Sequence, residues 1–184
     1  RQMCIRDRTN VVYATKGLAQ RLKAEGKNSP ADVILTVDIG RIYIYDDLDL
    51  LTSVNSDILD RNIHQNLKSP ENKWFALSKR SRIIVTSKDR VKEGQITKIE
   101  NLADEQWKGR VCSRPGSHVY NRALMASLIL SLGEKAAEEW AKKFVGNLAR
   151  RPQGNDRAQV KAIFEGQCDI SICLLYTSPS PRDM

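Results

Sequence analysis

The residues best suited to ligand chemistry gather in Arg110 to Leu124, RVCSRPGSHVYNRAL. A short apolar strand, Val111 and Cys112, runs into a Pro115-Gly116 turn. Ser117 follows, and a long helix begins near Tyr120. Pro and Gly end the strand, and a Ser just ahead of an apolar-periodic run suits a helix N-cap. Backbone N–H groups at a helix N-terminus point outward and favour an anion. A phenol in the first turn lies beside that mouth, and once ionised it is a hard oxygen ligand for a hard cation. Tyr120 therefore reads either as a metal ligand or as a half-buried aromatic packed at a helix start. Asp38 is the second position of interest. It closes the apolar run Val33 to Val37 (VILTV), and ligands of open α/β sheets gather at such strand ends. It equally suits the N-cap of a helix over Ile39 to Leu48, and the two roles are compatible.

Other chemistries lack their signatures. The sequence contains no GxSxG, Walker A, HExxH or CxxC pattern. His64 and His118 are too far apart in sequence to suggest a clustered metal site. The chain is accordingly read as a non-enzyme. Its formal net charge is +8, which suggests anionic partners. The basic residues are spread through KRSR, KDRVK, AKKF and ARRPQ and alternate with acids, so no nucleic-acid-binding stripe is visible. No apolar run has the length needed to span a bilayer.

The elements that must position these residues alternate. Asn10 to Ala14 reads as a strand, Lys16 to Glu25 as a helix ended by Gly26, and Val33 to Val37 as a strand buried on both faces. A helix follows Asp38, and a shorter one covers Ser56 to Asn62. Residues 74–78 (WFALS) and 82–87 (RIIVTS) read as two strands across a basic turn. A short acidic-aromatic helix near Asn101 to Trp107 leads into Val111-Cys112. The helices Asn121 to Leu132 and Glu134 to Leu148 follow, parted by Gly133. Asp156 is expected to cap a helix over Arg157 to Glu165, with Gly166 beyond its end and a buried strand, Cys168 to Ile172, after it. Such an order means α/β layers with mostly parallel sheets. Cys112 and Cys168 fall on two of the buried strands, where they are either a disulfide or two buried thiols. Both ends look foreign. Residues 1–8 (RQMCIRDR) and 173–184 (CLLYTSPSPRDM) share no periodicity with their neighbours and resemble translated sequencing-adapter read-through.

Several long blocks carry a resemblance: VVYATKGLAQRLKAEGKNSPADVILTVDIGRI, WFALSKRSRIIVTSKDRV, LADEQWKGRVCSR, SHVYN and ARRPQGNDRAQVKAI…GQCDISI. Together they closely resemble the ferric-iron-binding periplasmic proteins of bacterial ABC importers, over nearly all of Thr9 to Ile172. The resemblance implies a type II periplasmic-binding-protein-like α/β fold, two lobes closing on Fe(III). Partial lobe one would cover residues 9–84, a hinge crossing 85–90, and lobe two 91–172. It implies tyrosine phenolate ligands, of which Tyr120 matches the one ahead of a lobe-two helix. The other ligand motifs would lie before Thr9 and after Ile172, so the chain reads as an internal fragment whose signal peptide is missing. Val37 stands where some members carry a glutamate ligand, which points to the tyrosine-rich, histidine-poor subgroup. The family's serine-rich turn is Pro115-Gly116-Ser117 here, leaving Ser117 as the anion contact in that turn. The partners implied are ferric ion and an inner-membrane permease, with no nucleic acid, and the protein is expected to act as a periplasmic monomer.

The physical case is consistent with this. Fe(III) is a small, hard cation that anionic oxygen suits. Free phenol has a pKa of about 10, so binding must expel protons and weakens as pH falls. An accompanying anion such as carbonate needs a cation, and Arg80 is the candidate because a planar guanidinium holds a carbonate-like anion through two bonds. Two alternatives stand beside this reading: a binding protein for another small anion or metal, and a basic nucleic-acid-associated domain.

Overall fold

In the computed structural model the described residues are 9–176. The suspect end 1–8, with Cys4, and residues 177–184 of the suspect end 173–184 lie outside them. The chain divides between Leu77 and Ser78 into two units.

In the first unit, β1 (Val11–Tyr13) and β2 (Val33–Leu35) pair in parallel, with Val12 opposite Ile34. The helix α1 (Leu18–Glu25) makes the crossover between them. Parallel strands need such a crossover. Strand alternation sends Val12 and Ile34 toward Leu18, Ala19, Leu22 and Tyr45. The opposite face, Val11, Tyr13, Val33 and Leu35, is exposed. Helix α2 (Ile39–Asp47) starts at Asp38, and α3 (Asp57–Asn62) starts at Ser56, whose side chain accepts from the Leu59 N–H. The strand expected over 74–78 does not form. Ser69 and Ala76 donate backbone bonds to Trp74 and Leu67, so the segment folds back across Pro70 to Asn72. It makes a single bridge between Lys68 and Phe75.

The second unit is built on a three-stranded sheet in the order β3 (Arg80–Thr86), β5 (Ile170–Tyr176), β4 (Val111–Cys112). Strand β4 runs parallel to β5, whereas β3 runs antiparallel to it. The expected break at Ile172 is not visible in the sheet, because β5 continues through Tyr176, paired with Arg80. Residues 80–86 thus belong with the second unit and not with the first. Alternation gives the sheet two cores. Ile84, Val111, Ile170 and Ile172 pack against Trp107, Leu128, Ala137 and Trp140 on one side. Val85 and Cys112 pack against Ala162, Ile163 and Cys168 on the other. Helices α4 (Val119–Leu132) and α5 (Glu134–Gly146) cover the first face, and α6 (Asp156–Phe164) the second. Gly133, at φ 84°, parts α4 from α5, a backbone angle that a side chain would strain.

Cys112 and Cys168 form a disulfide with Cα atoms 5.8 Å apart. It ties the end of β4 to the turn before β5. Asp156 is the first residue of α6 rather than its cap. Asn155 takes that role, its side-chain oxygen accepting from the Ala158 N–H at 3.0 Å. The Asp156 carboxylate is thereby left to bind other partners.

Candidate metal centre

Strand directions decide which residues meet. Because β3 is antiparallel to β5, the start of β3 lies at the carboxyl end of β5. The loop leaving β4 emerges at that same end. Ligands of α/β sheets collect at carboxyl strand ends, and here Arg80, Arg82, Arg114, Tyr120 and Asn121 gather there.

Tyr120 is the second residue of α4. The cap is His118 and not Ser117: its Nδ1 accepts from the Tyr120 N–H at 3.2 Å, and its ring meets the phenol edge-on at 4.7 Å. An imidazole nitrogen reaches the first-turn donors as a Ser oxygen does, and the Pro115-Gly116 turn delivers residue 118 to that position. The His118 N–H itself donates to the Pro115 carbonyl at 3.1 Å. Ser117 is exposed in the turn.

The phenol oxygen accepts a hydrogen bond from Arg80 Nη1 at 2.7 Å. The Arg114 guanidinium lies over the phenol ring, 5.0 Å from its centroid, close enough for a cation–π attraction. Arg82, two residues along β3 from Arg80 and so on the same face, reaches Asn121 Oδ1 at 2.8 Å. The Asn121 amide donates to the carbonyls of Arg114 and Pro115 and to Ser113 Oγ, closing the β4–α4 loop. Both inner guanidinia share one carboxylate. Arg82 Nη1 donates to Asp156 Oδ1 at 3.2 Å, and Arg114 Nη1 to Asp156 Oδ2 at 2.7 Å. Burial pushes Arg82 below the usual arginine value, and the Asp156 charge and hydrogen bond oppose that change.

Of the sequence-predicted residues, the structure brings Arg80 to Tyr120. It places Ser117 one residue short of the cap. Asp38 stands in the first unit, where its carboxylate accepts from the Gly40 N–H at 2.9 Å as the cap of α2. Arg82, Arg114, Asn121 and Asp156 were not foreseen. The two-residue spacing of Arg80 and Arg82 on one strand was the available signal. Tyr45 packs in the first unit's core, whereas Tyr13 is exposed. Among the described residues no cluster of three or more His, Cys, Asp or Glu side chains forms a metal site, and no helix is long and apolar enough to cross a membrane. A metal here would be held through phenol oxygen.

Residues 16–175 match the family model described as bacterial extracellular solute-binding protein. The chain is 45% identical over 159 residues to iron uptake protein A1 of Synechocystis sp., covering 86% of this chain and 44% of that protein. Among solved structures, it resembles the Trichodesmium protein determined in complex with iron and citrate ligands, with 44% identity and a TM-score of 0.81, over 90% of this chain and 54% of the other. It also resembles the apo ferric ion-binding protein A of Pasteurella haemolytica, with 43% identity and a TM-score of 0.84, over 90% and 52%. The chain thus spans about half the length of these relatives. Their two-lobed α/β fold of the type II periplasmic-binding class is the fold of the corresponding half here. The chain belongs to the bacterial extracellular solute-binding proteins, on the branch whose members are named for iron uptake and ferric-ion binding.

Proposed function

We propose that this chain is part of the periplasmic Fe(III)-binding component of an ABC-type iron importer, and that Tyr120 supplies a phenolate ligand. The observation that carries the reading is the placement of the Tyr120 oxygen, at a carboxyl sheet edge and 2.7 Å from Arg80. A guanidinium donor there supports an oxygen that bears negative charge. When the phenolate binds iron, a second lone pair remains for Arg80.

Arg80 and Arg114 both touch Tyr120, and Arg114 shares the Asp156 carboxylate with Arg82. A trivalent cation beside guanidinium groups is favoured when anions accompany it. Phenolate together with a carbonate-like or citrate-like anion supplies the balance. Arg80 is the residue we assign to that anion. Ser117, exposed in the turn, is a further contact available to it. Asp38 is kept as a polar group of the other unit, its cap bond to Gly40 notwithstanding. In this reading the protein hands ferric ion to an inner-membrane permease and works as a monomer.

Guanidinium groups also suit a small anion as hydrogen-bond donors, which favours a second reading, a binding protein for such an anion without metal. Calorimetric titration separates the two. Ferric citrate should give a binding heat that citrate alone does not. Equal heats from both would support the anion reading and overturn the ferric one.

A further inference from the structure

Asp156 takes no part in the ligand set above, yet it holds the two cations that touch the first turn of α4. Its Oδ2 accepts from Arg114, whose guanidinium covers the Tyr120 ring. Its Oδ1 accepts from Arg82, whose second Nη binds Asn121, the residue after Tyr120. The side chains of Arg82, Arg114 and Asp156 are 15%, 9% and 13% exposed. Both Nε atoms are buried without a hydrogen-bond partner among the described residues. Each guanidinium is therefore held by few bonds, and the bonds to Asp156 carry the charge compensation for both. Buried charges stay in place when they are paired and hydrogen-bonded. If the carboxylate loses its charge, two like-charged groups share a largely water-excluded space and repel each other. The side chain that moves away releases either the Tyr120 ring or the Asn121 amide.

We propose that Asp156 is a positioning residue for Tyr120: by fixing Arg82 and Arg114 it sets the angle at which the phenol oxygen is presented. The proposal rests on the reading of Tyr120 as an iron ligand, and it predicts that the charge of Asp156 matters as well as its shape. Outer partners that orient a metal ligand typically change affinity by about 10- to 100-fold when removed.

The test uses the whole chain carrying 13C-labelled tyrosine. The Tyr120 ring signals are assigned by their loss in Tyr120→Phe. In Asp156→Asn, the Tyr120 signals should shift or broaden, while those of Tyr45 in the first unit stay in place. The ferric charge-transfer band should require about 10- to 100-fold more ferric citrate, and Asp156→Glu should recover part of both changes. Should Asp156→Asn fail to fold, Arg114→Lys decides the matter. It keeps the charge and removes the planar cover over the ring, so it should move the Tyr120 signals with an unchanged far-ultraviolet spectrum. Unmoved Tyr120 signals in the folded variant would overturn the proposal. A band insensitive to Tyr120→Phe would instead overturn the ligand reading, and the ring signals would still decide whether Asp156 positions Tyr120.

Discussion

Tyr120 meets its neighbours through different atoms. Its backbone N–H is taken by His118, its ring by Arg114, and its oxygen by Arg80. The oxygen is therefore the point at which a ligand and Arg80 compete or cooperate. Cooperation predicts an anion effect. Ferric binding should be tighter in bicarbonate-containing buffer than in buffer freed of it, and Arg80→Met should abolish most of that difference. An equal gain from bicarbonate in both proteins would remove Arg80 from the anion site. At this scale the sequence was only partly informative. Tyr120 was legible because its spacing from Pro115-Gly116 places it at a helix mouth. The cap was misassigned because Ser is the commoner cap residue, and a one-residue difference in where the turn ends decides between Ser117 and His118. Asp156 was taken for a cap for the same reason, since Asn155 beside it is equally able to cap. The convergence of Arg82 and Arg114 on Asp156 joins positions 74 and 42 residues apart, which no local pattern encodes.

Among the elements, β4 is only two residues long, so it needs reinforcement beyond its ladder. The Cys112–Cys168 disulfide provides it on one face of the sheet. It closes a sequence separation of 56 residues, for which the chain-entropy model gives about 4 kcal/mol. Replacing both cysteines by Ala should lower the unfolding free energy of the second unit by up to that amount, measured by urea denaturation. A loss below about 1 kcal/mol would show that the bridge adds little to what packing already holds. A second clamp lies at the opposite end of β4. Asp169 accepts from Arg110 Nε at 2.6 Å and from Arg90 Nε at 2.5 Å. Arg90 also reaches the carbonyls of Ile163 and Cys168. Burial alone would raise the Asp169 carboxyl, but the two arginine hydrogen bonds and charges outweigh it and hold it below the ordinary value. A carboxyl depressed in the folded state contributes stability that is present above its unfolded value, about 3.9, and lost as pH falls through the lower folded value. Denaturation midpoints measured from pH 5 down to about 2 should fall in the native chain and fall less in Asp169→Asn. Parallel curves would show that the clamp contributes no pH-dependent stability. The helices were legible because their apolar spacing is regular, whereas the run from Val33, expected to be buried on both faces, is covered on one face only and exposes Val33 and Leu35 on the other. The antiparallel pairing of β3 with β5 was not, because it joins segments some 90 residues apart in the sequence.

For the whole molecule, the fold class was legible from the alternation of strands and helices, and the resemblance sharpened it. The expected boundary near residue 84 differs from the observed division after Leu77, because the partner of Arg80–Thr86 is a strand far downstream. The outer face of the first unit's small sheet exposes Val11, Tyr13, Val33 and Leu35, and α2 exposes Ile39 and Tyr43. An exposed apolar sheet face of this kind binds hydrophobic dyes and promotes association. Anilinonaphthalene sulfonate fluorescence should rise on adding the native chain, and Val11→Thr with Val33→Thr should reduce the rise. No dye response from the native chain would mean that this face is covered in solution. The central claim, that Tyr120 binds ferric iron through its phenolate, is tested most directly by titrating the chain and Tyr120→Phe with ferric citrate while recording the visible phenolate-to-iron charge-transfer band. The native chain should develop the band, with more ferric citrate needed at lower pH because protons compete for the ligand, and Tyr120→Phe should lose most of its intensity with little change in thermal stability. A band of undiminished intensity and midpoint in Tyr120→Phe would contradict the claim and move the iron ligand to another tyrosine.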